Sequence, residues 1–379
     1  MSTIQMVDLQ RQYEKIKEEI DKGIEQVIRT STFINGPAVK EFTDNLATYT
    51  GVKHVIPCAN GTDALQIALM ALGLKPGDEV ITPSFTFVAT VEVVALLGLT
   101  PVFVDVDKDT FTINKESLEA AITERTKAII PVHLYGQCSN MGEIMPIADK
   151  YNLAVIEDNA QSIGGSYKQG STSYKTGTMG TISCISFFPS KNLGAYGDGG
   201  VIMTNDDSLA HTMRKICNHG SERRYYHEIV GVNSRLDSIQ AAVLNVKLKY
   251  LDDYCNKRRE AAAYYNQTFK ASSNIITPYV PDYSHHVFHQ YTMILEGVNR
   301  DEVHEELAKL GIPSMIYYPV PCHEQEMFKT LKDREYNLPN TMYLTSRVLS
   351  LPIHTELTEE ELIFITEGVL SVIEKLKKR

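Results

Sequence analysis

His54-Val55-Ile56-Pro57-Cys58-Ala59-Asn60-Gly61-Thr62-Asp63-Ala64-Leu65-Gln66-Ile67-Ala68-Leu69 reads as a short apolar strand, a polar hinge and the first turns of a helix. After the hinge, Ala64, Leu65, Ala68, Leu69 and Leu72 recur at helical spacing and make one stripe. The same alternation continues outward from this unit. Strand candidates are 54–58, 79–82, 101–106, 127–132, 153–157, 182–187 and 200–204, most of them apolar nearly throughout. Continuous apolar runs, rather than alternating ones, mark strands covered on both faces by helices. Helical patterns lie between them at 63–73, 86–97, 115–122 and 142–151. Strand–helix alternation of this length predicts an α/β domain with a mainly parallel sheet of seven strands.

Beyond Asp237 the pattern changes. A long helical stretch runs to about Lys270, and a passage containing Pro and Tyr follows at 277–284. A strand near 290–295, a helix at 301–310 and a C-terminal helix from Glu359 predict a smaller α+β domain. The expected division is 1–250 for the large domain, with an N-terminal helix, and 251–379 for the small one. A site between two such domains is a cleft that can close.

The 379 residues suffice for two cores, and 43% hydrophobic with 22% charged residues is the mixture of a globular protein. A net charge of −10 argues against a nucleic-acid surface as the main function. It leaves room for anionic small molecules, because a few local arginines override the global sign. The first fifteen residues are polar, and the most apolar stretch, 91–104, is interrupted by Glu92, Gly98 and Pro101. Neither reads as a signal core or a membrane span. Six cysteines are scattered with no C-x-x-C pair, as expected of reduced thiols in a cytoplasmic protein.

Three motifs carry chemistry. In Ala59-Asn60-Gly61-Thr62-Asp63-Ala64, Gly61 permits a tight turn, and the helix-start amides with the Thr62 hydroxyl suit a phosphate. The plainer reading is an ordinary helix cap. In Val155-Ile156-Glu157-Asp158-Asn159-Ala160-Gln161, Asp158 ends an apolar strand, where open α/β sheets place ligands. A carboxylate there can keep a ring nitrogen protonated, which a pyridoxal 5'-phosphate (PLP) electron sink requires, and Gln161 follows three residues on. Alone, Asp158 would read as a helix cap. In Phe187-Phe188-Pro189-Ser190-Lys191-Asn192, a lysine stands just past a buried strand and before Gly194-Ala195-Tyr196-Gly197-Asp198-Gly199-Gly200. A desolvated amine there has a lowered pKa and can act as a Schiff-base nucleophile. The glycines lack G-x-G-x-x-G spacing, so a dinucleotide loop is disfavoured.

Taken in order, these motifs resemble the sugar aminotransferases of the DegT/DnrJ/EryC1/StrS family, with PLP fold type I. The resemblance runs from Phe33-Ile34-Asn35-Gly36-Pro37, through Asn60-Gly61-Thr62, Ile156-Glu157-Asp158, Ser186-Phe187, Lys191 and Gly231-Val232-Asn233-Ser234-Arg235-Leu236, to Ser350-Leu351-Pro352. It implies that Lys191 forms the Schiff base and shuttles the proton, and that Asp158 pairs with the pyridine nitrogen. It further implies that Gln161 bonds the phenolic oxygen, Phe87 stacks on the ring, and Gly61, Thr62 and Ser186 hold the phosphate. Asn233 would complete that phosphate site from the neighbouring subunit of a homodimer with shared active sites.

On the substrate side, Leu134-Tyr135-Gly136-Gln137-Cys138 and His219-Gly220-Ser221-Glu222-Arg223-Arg224-Tyr225 resemble the branch that aminates UDP-2-acetamido-3-keto-glucuronate. That branch takes nitrogen from glutamate on the way to bacterial surface polysaccharide, including lipopolysaccharide. Arg235 would meet a carboxylate, Arg223 the diphosphate, and Tyr318 the substrate-side loop. The chain departs from the branch at Asn192, at Tyr317 where a His is usual, and at His323. Alternative substrates are a dTDP- or UDP-keto-deoxysugar aminated at position 3 or 4. Related sugar dehydratases replace the lysine by His, which Lys191 argues against. A non-catalytic regulator on the same fold would not need Lys191, Asp158 and the phosphate residues together. His285, His286 and His289 raise the question of zinc, but a passage read as loop and strand does not assure ligand geometry, so no metal is expected. The basic end, 374–379, is read as complementing a helix dipole.

Overall fold

The computed structural model describes residues 4–329 and 334–377; Lys378 and Arg379 of the basic end lie outside them. The strands are β1 (His54–Cys58), β2 (Glu79–Pro83), β3 (Thr100–Val104), β4 (Thr126–Ile129), β5 (Ala154–Asp158), β6 (Ser166–Gln169), β7 (Thr172–Lys175), β8 (Ile182–Ser186), β9 (Gly200–Thr204), β10 (Ile275–Ile276), β11 (Ser284–His285), β12 (Tyr291–Leu295) and β13 (Val348–Leu351). The helices are α1 (Leu9–Thr30), α2 (Pro37–Thr50), α3 (Gly61–Ala71), α4 (Ala89–Leu96), α5 (Lys115–Ala121), α6 (Met141–Tyr151), α7 (Asp207–Cys217), α8 (Ser238–Leu248), α9 (Leu251–Phe269), α10 (Arg300–Lys309), α11 (Pro339–Thr345) and α12 (Glu359–Lys377).

All seven strand candidates join one sheet, in the order β1-β9-β8-β5-β4-β2-β3. The run from β3 to β8 is parallel, whereas β9 lies antiparallel to both β8 and β1. The reversal has a simple cause. No helix crosses over between β8 and β9, so the chain turns back on itself. The central strands are buried on both faces, as their apolar runs predict.

Two features depart from the sequence reading. The helical stretch from Asp237 to Lys270 is two helices, α8 and α9, broken at Lys249 and Tyr250; Leu248 and Leu251 on either side pack into one cluster with Phe187 and Leu193. The β6–β7 hairpin carries Lys168, Gln169, Thr172 and Ser173, all exposed, so it gives no apolar alternation to read.

A second core forms around the antiparallel sheet β10-β12-β13, with Tyr265, Phe269, Tyr291, Leu295, Ile365 and Val369 buried together. Helix α9 ties the two cores: Leu251 and Cys255 pack beside the large sheet, and Ala262 to Phe269 beside the small one. On that division of cores we propose the domain change near residue 250. The C-terminal ends of β5 and β8 and the loops before α3 and α4 face one cavity, which the small domain closes with residues 289–290 and 317–318.

Candidate active site

The cavity measures about 630 Å³. At one end lies the start of α3. The Asn60 side chain accepts the Asp63 amide at 2.8 Å and its carbonyl accepts the Ala64 amide at 3.1 Å. Gly61 and Thr62 have no carbonyl behind them in the helix, so their amides are offered forward. Gly61 is required there: an added Cβ would stand 2.6 Å from the Ser186 Cβ. That close approach delivers the Ser186 hydroxyl, at the end of β8, to the same corner. Two amides at a helix N-terminus with hydroxyls on either side form an anion site.

Asp158 lines the same cavity, as the last residue of β5. Its backbone is fixed by bonds to Pro131 and His133, and its carboxylate accepts Thr90 Oγ1 at 2.8 Å and the Ala160 amide at 3.2 Å. Burial raises the acid's pKa; the bonds from Thr90 and Ala160, and then the charge of Lys191, oppose the rise. A cation placed beside this carboxylate would be held charged, since it relieves that desolvation. The neighbouring Glu157 faces the other side of the sheet, as strand geometry demands. There it gathers the amides of Gly177, Met179 and Gly180 and the His133 ring, and so pins the loop before β8.

Gln161 accepts the Tyr135 amide at 2.7 Å through Oε1 and donates from Nε2 to the Tyr318 hydroxyl at 3.3 Å. Phe87 is 52% exposed, yet its exposed face lines the cavity, 6.0 Å from the Tyr318 ring. Lys191 lies in the turn after β8, its amide bonded to the Phe188 carbonyl at 2.9 Å. Burial pushes its amine down to about 8, against the pull of Asp158. An amine so shifted is partly unprotonated near neutrality and therefore nucleophilic.

Thus Gly61, Thr62, Phe87, Asp158, Gln161, Ser186, Lys191 and Tyr318 come together in one cavity. Asn233, Arg235 and Arg223 do not line it. Asn233 is exposed and bridges Asn218 through its backbone; Arg235 is partly exposed; Arg223 is exposed, its guanidinium 4.4 Å from the Tyr226 ring. The sequence reading gave no site role to Thr90, His133 and Gln290, and took His289 only as part of a histidine cluster. Helix periodicity could have flagged Thr90, which with Glu92 is one of two polar residues on α4; His133 and Gln290 carry no local signal. The three histidines also part company: His285 is exposed on β11, His286 stacks on Phe288, and His289 enters the cavity wall. Among the described residues no cluster of metal-ligand type forms.

The donor set fits PLP: an amine for the aldehyde, an acid for the ring nitrogen, and an amide-and-hydroxyl corner for the phosphate. The profile of the DegT/DnrJ/EryC1/StrS aminotransferase family matches residues 14–370. The chain belongs to this family. It is an aminotransferase, and its cofactor is PLP. Among its relatives, a UDP-2-acetamido-2-deoxy-3-oxo-D-glucuronate aminotransferase of Pseudomonas aeruginosa is 49% identical, over 93% of this chain and 95% of that one. A "pleiotropic regulatory protein" of Geobacillus stearothermophilus is 47% identical, over 97% of each chain. A UDP-N-acetyl-3-dehydro-α-D-glucosamine 3-aminotransferase of Acidithiobacillus ferrooxidans is 46% identical, over 95% of each. Among solved structures, a family member from Brucella abortus has a TM-score of 0.92 at 43% identity, covering 97% of this chain and 99% of that one. S. venezuelae DesV, solved with a ketimine intermediate, has a TM-score of 0.93 at 35% identity, covering 100% of both. Among the described residues of this aminotransferase, no helix is long and apolar enough to cross a membrane.

Proposed function

We propose that this aminotransferase converts UDP-2-acetamido-3-keto-glucuronate to its 3-amino sugar, with glutamate as donor, in lipopolysaccharide or a related surface polysaccharide. The observation that carries the chemistry is Lys191 and Asp158 in one cavity with the Gly61–Ser186 corner. The relative at 49% identity supports the sugar.

Bound PLP supplies an electron sink that accepts the pair left when a proton leaves the donor's α-carbon. Lys191 Nζ would take that proton and return it two atoms further along, to the carbon beyond the nitrogen, a task suited to an amine poised near 8. Asp158 keeps the ring nitrogen protonated, Gln161 Nε2 bonds the phenolic oxygen, and Phe87 covers one ring face. Gly61, Thr62 and Ser186 anchor the phosphate, so the ring keeps its place in both half-reactions.

In the proposed assembly, a two-fold dimer, Asn233 of one subunit completes the phosphate site of the other, and Arg235 and Arg223 meet the carboxylate and diphosphate of the substrates. For the two anionic substrates proposed, two observations support this reading: these residues stand outside their own cavity, and Lys191 is the only lysine or arginine that lines it among the described residues. Tyr318 would contact the sugar. The six free, buried thiols support a reducing, cytoplasmic setting.

A second reading, a keto-sugar without the carboxylate, is favoured by Tyr317 at a position where the glucuronate branch usually has His. The relative at 46% identity is named for such a sugar. A regulatory role alone leaves the buried Lys191 amine unexplained. Purified protein should be yellow, and mass measurement of products from candidate UDP- and dTDP-ketosugars with glutamate identifies the substrate. Turnover of a keto-deoxysugar but not of the keto-glucuronate would replace the first reading by the second.

A further inference from the structure

His289 is a buried titratable group in the cavity wall to which the proposed mechanism gives no task. It is 4% exposed, two residues ahead of β12, and shares the cavity lining with Lys191. Its Nδ1 is sealed from solvent without a hydrogen-bond partner, and no described residue takes its Nε2. Buried imidazoles ordinarily spend at least one nitrogen on a partner, because a desolvated polar atom left unpaired is costly. An unpaired ring at a cavity wall therefore points to a partner that it meets only during the reaction.

The surroundings hold His289 there. Arg258 on α9 is 3% exposed and gives Nη1 to the carbonyls of Phe288 at 3.2 Å, His289 at 3.3 Å and Ile353 at 2.9 Å. Among the described residues no carboxylate pairs with this guanidinium, so its charge is spent on fixing backbone. From the other side, Gly136 lies so close that a Cβ would stand 2.9 Å from the His289 amide nitrogen, and the Gln290 amide donates to the Tyr135 carbonyl at 3.2 Å. Between these clamps Phe288 adopts φ 44°, in the left-handed region that a bulky side chain rarely enters. Such outliers persist only where the surroundings impose them, and they gather at functional sites. Burial holds the imidazole well below its ordinary pKa, and the Lys191 and Arg258 cations push the same way. The ring is therefore neutral and offers a lone pair, not a charge.

We propose that His289 is a positioning residue for Lys191, its imidazole lone pair accepting a hydrogen from the free Lys191 amine and keeping that amine's own lone pair turned toward the reacting carbon. A lysine amine rides on a flexible four-carbon stem and rotates freely. One fixed neutral acceptor restricts it without adding a carboxylate that would compete with Asp158 for the ring. This inference rests on Lys191 being the proton carrier.

The test uses the holoenzyme, with His289→Phe to remove the acceptor and His289→Gln to retain one. Wild-type protein is first assayed with glutamate and α-deuterated glutamate; no transamination there would sink the Lys191 reading itself. Given wild-type turnover, His289→Phe should lower kcat by about 10- to 100-fold, leave the KM for glutamate nearly unchanged and enlarge the deuterium isotope effect. The pH midpoint of the cofactor's visible absorbance should move in His289→Phe, and His289→Gln should recover most of kcat and the midpoint. Cofactor content and melting temperature should match wild type in both. Wild-type kcat, isotope effect and absorbance in His289→Phe overturn the proposal. So does an equal loss in both variants that follows cofactor content or melting temperature, which marks a packing role.

Discussion

Two regions offer functional side chains in opposite ways. In the cavity wall, the polar side chains are held by their own chain: Asp158 by Thr90 and Ala160, Gln161 by Tyr135, and Ser186 by the close approach of Gly61. In the segment from Glu222 to Val230 every residue is exposed; Tyr225 keeps 78% and Val230 84% of its surface. Among the described residues, the side chains of Arg223 and Arg224 there rest only on tyrosine rings. Exposed aromatic and apolar side chains beside arginines are the composition of a surface made to be covered. The contrast teaches how the labour is divided in the proposed enzyme. In that proposal one chain furnishes most of the cofactor's place, while Asn233 for its phosphate and the arginines for the substrates would come from a second copy.

That contrast can be broken at several depths. The largest effect falls in the wall: Lys191→Ala should lower transamination by about 1000-fold or more and remove the cofactor's visible absorbance, read by stopped assay and spectrum with the fold intact by circular dichroism. Normal turnover would end the mechanism. Asp158→Asn should lower kcat by about 100-fold while cofactor still binds, because the ring nitrogen loses its counter-charge. Across the two regions, mixing Lys191→Ala with Asn233→Ala subunits should restore about a quarter of wild-type activity, from one intact site in the half of dimers that are mixed. No recovery would place Asn233 in its own chain's site. Thr90→Val removes one bond to Asp158, of ~1 kcal/mol, and should cost about threefold to tenfold in kcat.

The smallest effect is on stability. The folded amine of Lys191, at about 8, lies below its ordinary 10.5, so burying the charge penalises the folded state fully below pH 8. The penalty fades as pH climbs from 8 toward 10.5. In cofactor-free protein Lys191→Met should therefore raise the melting temperature at pH 7, with the gain shrinking across that window. A gain that is flat with pH would mean that the amine is solvated.

Legibility followed how local the physics is. The seven sheet strands were readable because burial on both faces writes a continuous apolar run, and Asp158 and Lys191 because each polar residue stands just beyond such a run. The β6–β7 hairpin was silent, its outward residues being uniformly polar. The break at Lys249 was hidden because both sides of it are helical. His289 looked like part of a histidine cluster. Which of His285, His286 and His289 would reach the cavity depends on Arg258 and Gly136, residues 31 and 153 positions away along the chain.

By itself, then, the amino-acid order determined the α/β class, the family, the cofactor and the ordered set Thr62, Asp158, Gln161 and Lys191, because strand burial and strand-end polarity are properties of a few adjacent residues. Only the tertiary structure decided the antiparallel edge of the sheet, the opposite tasks of Glu157 and Asp158, the unpaired ring of His289, and the separation of Asn233, Arg223 and Arg235 from their own cavity. Those depend on which distant segments close over one another, and packing between segments leaves no periodic mark on the chain.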